Sequence, residues 1–178
     1  MIPFIVTIIG AESTGKTCLS RELAQQLSAN WVPEFARSYL ETTDGQVTPK
    51  SMKAIWWGQR ALQHEARRSL QSIVIQDTDL YATVGYWQLP HVRPVIRDCP
   101  KLLEQDAASL KSNLYLITKS NIPFEPDPLR YGGDTRESHD DYWIDLCERY
   151  QLPYAVVESA ARNERLSEAI SLIRERST

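Results

Sequence analysis

At 178 residues and 20.4 kDa the chain is sized for one compact domain, read here as a single unit over residues 1–178. Hydrophobic residues at 42% and charged residues at 24% exclude wholesale disorder, a collagen-like repeat and a disulfide-dense scaffold. Twenty Lys and Arg against 23 Asp and Glu leave a net charge of −3, without the basic excess of a protein that coats nucleic acid, so no nucleic-acid partner is expected.

Residues 4–9 are a continuous, largely β-branched apolar run without polar alternation, the pattern of a strand buried on both faces. The run lacks a basic leader and passes directly into Gly10, Glu12 and Lys16, so it is too short and wrongly flanked for a signal peptide or membrane span. Three cysteines without CxxC spacing (Cys18, Cys99 and Cys147) read as free thiols. Together these features predict a cytoplasmic protein with no membrane partner.

Gly10, Ala11, Glu12, Ser13, Thr14, Gly15, Lys16 and Thr17 spell GxxxxGKT between that strand and a predicted helix over residues 16 to about 28, striped by Leu19, Leu23 and Leu27. This is the context in which such a loop binds phosphate. Its glycines let the backbone wrap closely, and its N–H groups meet phosphate oxygens. Lys16 neutralises β and γ charge, and Thr17 is placed to ligate Mg²⁺. The sequence therefore predicts ATP as ligand and Mg²⁺ as cofactor. The bland alternative is a tight turn with a chance lysine.

A short strand at Trp31 and Val32 is stopped by Pro33, and Glu34 and Arg37 follow it. They are either groups that orient or deprotonate a phosphoryl acceptor, or a solvated charge pair on a helix. Thr48 and Pro49 read as the N-cap and first position of a long helix to about residue 70, with Met52, Ile55, Trp56, Gln59 and Leu62 on one face. Trp56 and Trp57 should point about 100° apart on such a helix and so form no common platform. One belongs to the core, and Trp56 is also carried as a candidate to stack on the substrate ring, a role open to Trp87 or Tyr81 as well.

Residues 72–76 form a third strand, and Asp77 and Asp79 follow at its carboxyl end, where metal and substrate bind in open α/β folds. Asp77 matches the Walker B carboxylate. Asp79 is a second candidate for catalysis or substrate binding, because alternate residues leave a strand on similar sides. Its alternative is to cap a helix beginning near Leu80 and Tyr81. Residues 89–100, with Pro90, Pro94 and Pro100, read as irregular, and Pro100 starts a helix to about Leu110.

Leu114 to Ile117 make a fourth strand. Residues 121–137, with Pro123, Pro126, Pro128, Gly132 and Gly133, read as a lid-like loop in which Asp127, Arg130 and Arg136 occur. An arginine there either closes over transferring phosphate or is an ordinary surface cation. A helix carrying Trp143, Leu146, Cys147 and Tyr150, a fifth strand over residues 154–157, and a last helix with Leu166, Ala169, Ile170 and Ile173 complete the chain. The alternation predicts an α/β three-layer P-loop fold around a parallel sheet of about five strands. His64, His91 and His139 lack metal-ligand spacing.

The GAESTGKT loop, VPEFARSYLE (32–41), the QDTD strand end, NIPFEPDPLR (121–130) and PYAVVES (153–159), taken as an ordered set, resemble the ribosylnicotinamide kinase domain of bifunctional NAD-biosynthesis proteins and its stand-alone relatives. The resemblance implies transfer of the γ-phosphoryl of ATP to the 5′-hydroxyl of nicotinamide riboside. It aligns Glu34 and Arg37 with that family's Glu-x-x-Arg, Asp77 and Asp79 with its Asp-Thr-Asp, and Arg130 with the arginine of its lid segment. Pro128 stands where that segment usually has glycine, which restricts the backbone beside Arg130. Only the kinase part is represented, so neither adenylyltransferase nor DNA-binding activity is expected. Another small-molecule kinase, such as a nucleoside kinase, and a regulatory module that binds ATP without transferring phosphate are the competing readings.

Overall fold

The computed structural model describes residues 2–43, 45–89, 96, 98–125 and 137–177, with the side chains of 137–139 left aside. These form five strands, β1 (Phe4–Gly10), β2 (Asn30–Val32), β3 (Ile73–Asp77), β4 (Leu114–Thr118) and β5 (Tyr154–Val157). Seven helices accompany them among the described residues: α1 (Lys16–Gln26), α2 (Phe35–Glu41), α3 (Pro49–Ala66), α4 (Leu80–Gln88), α5 (Lys101–Ser109), α6 (Glu137–Arg149) and α7 (Arg162–Arg176).

All strand pairs are parallel, and the sheet order is β2-β3-β1-β4-β5. Parallel strands need crossovers, and the helices that make them cover both faces, which is why the strands are mostly apolar rather than alternating. In β4, Leu114 and Leu116 enter one core with Leu19, Leu23, Ala169 and Ile173 of α1 and α7. Tyr115 and Ile117 enter the other, under Leu40, Met52, Leu80, Leu103 and Trp143. The three layers expected from the sequence follow from this period-two division.

Several local expectations change. The helix α2 at residues 35–41 carries no strong sequence periodicity, and only the solvated-pair reading of Glu34 and Arg37 places a helix there. It is held from outside, because the Phe35 N–H donates to Gln59 Oε1 at 2.9 Å. Helix α3 stops at Ala66 rather than near residue 70, and Pro100 caps α5 instead of opening it. The Thr48 cap stands as read. Its hydroxyl accepts from Ser51 N at 3.1 Å while Ser51 Oγ accepts from Thr48 N at 2.8 Å, closing a capping box with Pro49 at the first position.

Because every strand runs the same way, Gly10, Val32, Asp77, Thr118 and Val157 all end at one edge. Ile8 is paired with Asp77 and Gly10 with Thr118. That edge holds the site.

Candidate active site

The loop between β1 and α1 has backbone that only particular residues tolerate. Gly10 lies at φ +142°, and a Cβ there would meet Thr118 O and Oγ1 at 2.7 Å, so both conformation and space demand glycine. Gly15 takes the left-handed conformation at φ +76° as the N-cap of α1. Thr14 is fully buried, with its hydroxyl within 2.8 Å of Ala11 O and 2.7 Å of Thr118 Oγ1, so its side chain braces the loop from behind. Lys16 Nζ donates to Ala11 O at 2.7 Å and Gly10 O at 3.1 Å, which places the ammonium across the mouth of the loop. A ring of backbone amides at a helix N-terminus with a lysine over it is suited to polyphosphate.

Asp77, at the end of β3, is 2% exposed and bonded by the Thr17 side chain. Burial pushes its carboxyl up, and the Thr17 bond with the Lys16, Arg37 and Arg21 charges pulls it back. Its Oδ1 is buried and without a hydrogen-bond partner. An orphaned carboxylate oxygen beside a threonine hydroxyl is a hard-oxygen pair that fits Mg²⁺, which takes one or two protein ligands and completes its shell with phosphate and water.

Glu34 caps α2 without using its side chain, so the carboxylate remains directed to the cleft that it lines. Burial and the neighbouring Asp77 push it from an ordinary 4.5 up to about 7, against the pull of Lys16 and Arg37. Arg37 also lines the cleft and pairs with Glu41 at 3.5 Å along its own helix. The structure thus brings Lys16, Thr17, Glu34, Arg37 and Asp77 together.

Asp79 is not among them. Thr78 sits at φ +69°, and this left-handed residue turns the chain, so Asp77 and Asp79 part company instead of sharing a side. Asp79 caps α4, accepting from Ala82 N at 3.0 Å, while its other oxygen accepts the Tyr115 hydroxyl at 2.7 Å. It is 1% exposed and burial pushes it up to about 6, but both oxygens are engaged inside the fold.

Trp56 is likewise a core residue, its Nε1 donating to Asp106 Oδ2 at 2.9 Å, away from the cleft. The Trp56 and Trp57 rings do not diverge as an offset of about 100° suggests but stack on one another, with centroids 5.1 Å apart, because long side chains lean after leaving diverging Cβ positions. Stacked in this way they still present no common platform to a ligand ring. Trp87 and Tyr81 are core residues too. Arg130, Arg136, Asp127 and Pro128, and most of the lid-like loop, lie outside the described residues.

The cleft has a volume of about 510 Å³. From the phosphate loop one arm runs between α2, α3 and α4, lined by Leu40, Val47, Met52, Ile55 and Tyr86. The other arm runs past Ile122, Pro123, Ala160 and Arg162. Tyr86 and Arg165 are among the lining residues that the sequence reading missed. Tyr86 needed the full extent of α4, whose largely apolar sequence hides any face. Arg165 stood in plain view as a cation on the stripe shared with Ala169 and Ile173, four residues apart.

A buried parallel sheet with GxxxxGKT at its carboxyl edge, a buried aspartate beside the loop's threonine and a two-armed cleft defines a P-loop nucleotide-binding protein of nucleoside- and nucleotide-kinase architecture. Comparison with known proteins agrees. The chain belongs to the AAA-domain family, whose model matches residues 5–165.

Among solved structures it is similar to NadR protein in complex with NR, 23% identical over 99% of this chain and 52% of that one, with a TM-score of 0.75. NadR protein in complex with NAD and AMP-PNP is 25% identical over 99% and 50%, with a TM-score of 0.74. Thymidylate kinase from Ehrlichia chaffeensis matches at 16% over 98% and 99%, with a TM-score of 0.67. The resemblance read from the motifs is thus met in structure, and the chain spans about half the length of the NadR structures. Among the described residues no helix is long and apolar enough to cross a membrane.

Proposed function

We propose that the protein is a cytoplasmic kinase of NAD salvage that transfers the γ-phosphoryl of ATP to the 5′-hydroxyl of nicotinamide riboside, giving nicotinamide mononucleotide and ADP. The observation that carries the reading is Glu34. A carboxylate held near 7 at the junction of the phosphate loop and an apolar arm is poised to accept a hydroxyl proton at neutral pH. A pure nucleotide sensor has no use for such a group. The choice of riboside draws on the ordered motifs and on the likeness to NadR bound to NR.

In this reading Lys16 and the loop amides hold the donor phosphates, and Thr17 and Asp77 hold Mg²⁺, which when bound offsets charge on the phosphate oxygens. The acceptor lies in the arm between α2, α3 and α4. Its O–H bond breaks as its oxygen bonds phosphorus, the proton passes to Glu34, and ADP leaves with the bridging oxygen. Arg37 steadies the charge of the Glu34 and Asp77 pair. Arg130 and Arg136 are proposed from sequence as further cations for the transferring and donor phosphates. Asp79 acts through position only, fixing α4.

A second reading, a kinase for an uncharged nucleoside, draws on Leu40, Val47, Met52 and Ile55, which offer a cationic ring apolar surface alone. Incubation with ATP, Mg²⁺ and a mixed pool of ribosides, read by mass spectrometry, separates the alternatives. Nicotinamide riboside should gain phosphate fastest. A purine or pyrimidine nucleoside phosphorylated at least as efficiently overturns the substrate, and ADP without any phosphorylated riboside overturns transfer.

A further inference from the structure

Arg165 of α7 is 5% exposed, and its contacts are unusual for a buried cation. Nη1 donates to Thr14 O at 2.5 Å, Nε to Ser159 O at 2.9 Å, and Nη2 to Asn121 Oδ1 at 2.9 Å and Lys119 O at 3.3 Å. These acceptors are neutral oxygens on three separate segments: the phosphate loop, the chain leaving β4 and the chain leaving β5. The nearest carboxylate that acts on it, Glu168, is itself engaged by Glu158 N and Ser159 N. A guanidinium buried this way does little as an ion pair. Its planar fork is suited to holding fixed angles among several acceptors.

The contact with Thr14 has a consequence set by covalent geometry. The Thr14 carbonyl and the Gly15 N–H belong to one trans peptide and point in opposite directions. Drawing the carbonyl toward Arg165 therefore turns the Gly15 N–H the other way, toward the inner side of the loop. A Cβ on Gly15 would lie 3.3 Å from Arg165 Nη1, so the two residues are in close register. We propose that Arg165 is a positioning residue that aims the Gly15 amide at the donor's phosphates and locks the loop to the segments leaving β4 and β5. The inference rests on reading residues 10–17 as a phosphate site.

The test measures binding of ATP and of inorganic tripolyphosphate by calorimetry to the full chain and to Arg165→Lys and Arg165→Gln, well below each variant's melting temperature. Both ligands should weaken by the same factor, about tenfold or more, and Lys should rescue little because one ammonium cannot span the acceptors. Wild-type affinity in Arg165→Lys assigns the effect to charge alone and overturns the proposal. So does a loss for ATP without a loss for tripolyphosphate, which points to the base end of the cleft.

Should both variants unfold, the wild type decides by amide NMR. The Gly15 N–H resonance should move on adding tripolyphosphate, and an unmoved Gly15 among shifting loop amides refutes the aim. Wild-type protein that binds neither ligand overturns the proposed function itself. Wild-type binding that both variants keep unchanged overturns this inference alone.

Discussion

Glu34 and Asp79 are both carboxylates pushed upward by burial, yet their uses diverge because of what surrounds each oxygen. Glu34 faces the cleft, so its protonation should govern rate. We expect kcat/KM for the acceptor to rise with pH and level off above about 7, and Glu34→Gln to lose about 10²- to 10⁴-fold and flatten that limb. Stability supplies an independent check.

With a folded value of about 7 against 4.5, the native state holds a proton that the unfolded chain has lost. Stability should therefore fall as pH rises between the two, and urea titrations of Glu34→Gln should lack the part of that fall due to Glu34. Asp79 feeds hydrogen bonds instead. Asp79→Ala should cost about 1–3 kcal/mol in urea titration by uncapping α4 and stranding the Tyr115 hydroxyl. Turnover per folded molecule should stay near wild type, and a loss matching Glu34→Gln would return Asp79 to the reacting groups.

Helix α2 carries Glu34 at its start and Arg37 one turn in, and it depends on α3 for its position. Gln59 accepts the Phe35 N–H, and Gly58 leaves room for the Phe35 ring. A Cβ at Gly58 would come within 2.2–2.4 Å of that ring. Alanine is the better helix former by about 1 kcal/mol, but overpacking of this kind costs about 1–3 kcal/mol. Gly58→Ala should thus be net neutral to destabilising by denaturant titration. It should also lower kcat, because α2 must move and take Glu34 with it. A stabilised, fully active Gly58→Ala would show that the ring yields instead.

The whole molecule is built on a sheet whose carboxyl edge gathers the GxxxxGKT loop after β1, Asp77 at the end of β3 and Glu34 just beyond β2. Ligand bound there stabilises only the folded state, so ATP with Mg²⁺ should raise the melting temperature, increasing with the logarithm of ligand concentration once it exceeds Kd. Lys16→Ala should keep the ligand-free melting temperature within a few degrees and lose that response, as followed by thermal denaturation. An undiminished ATP response in the variant would remove Lys16 from the phosphate site.

The five strands, the GxxxxGKT loop and the cap at Thr48 and Pro49 were readable because each is written in neighbouring residues: apolar runs, fixed glycine spacing, a proline after a threonine. Asp77 was readable as the residue that follows a buried strand. Other features depended on distant partners. The left-handed turn at Thr78 separates Asp77 from Asp79, and Tyr115, 36 residues on, completes the use of Asp79. Trp56 finds Asp106, 50 residues away, and becomes core, and α2 owes its place to Gln59. Arg165 meets Thr14 across 151 residues. Local backbone preference acts over a few residues and leaves a pattern in the chain. A buried polar group must find its partner wherever packing brings one, and that choice exists only after the layers have closed.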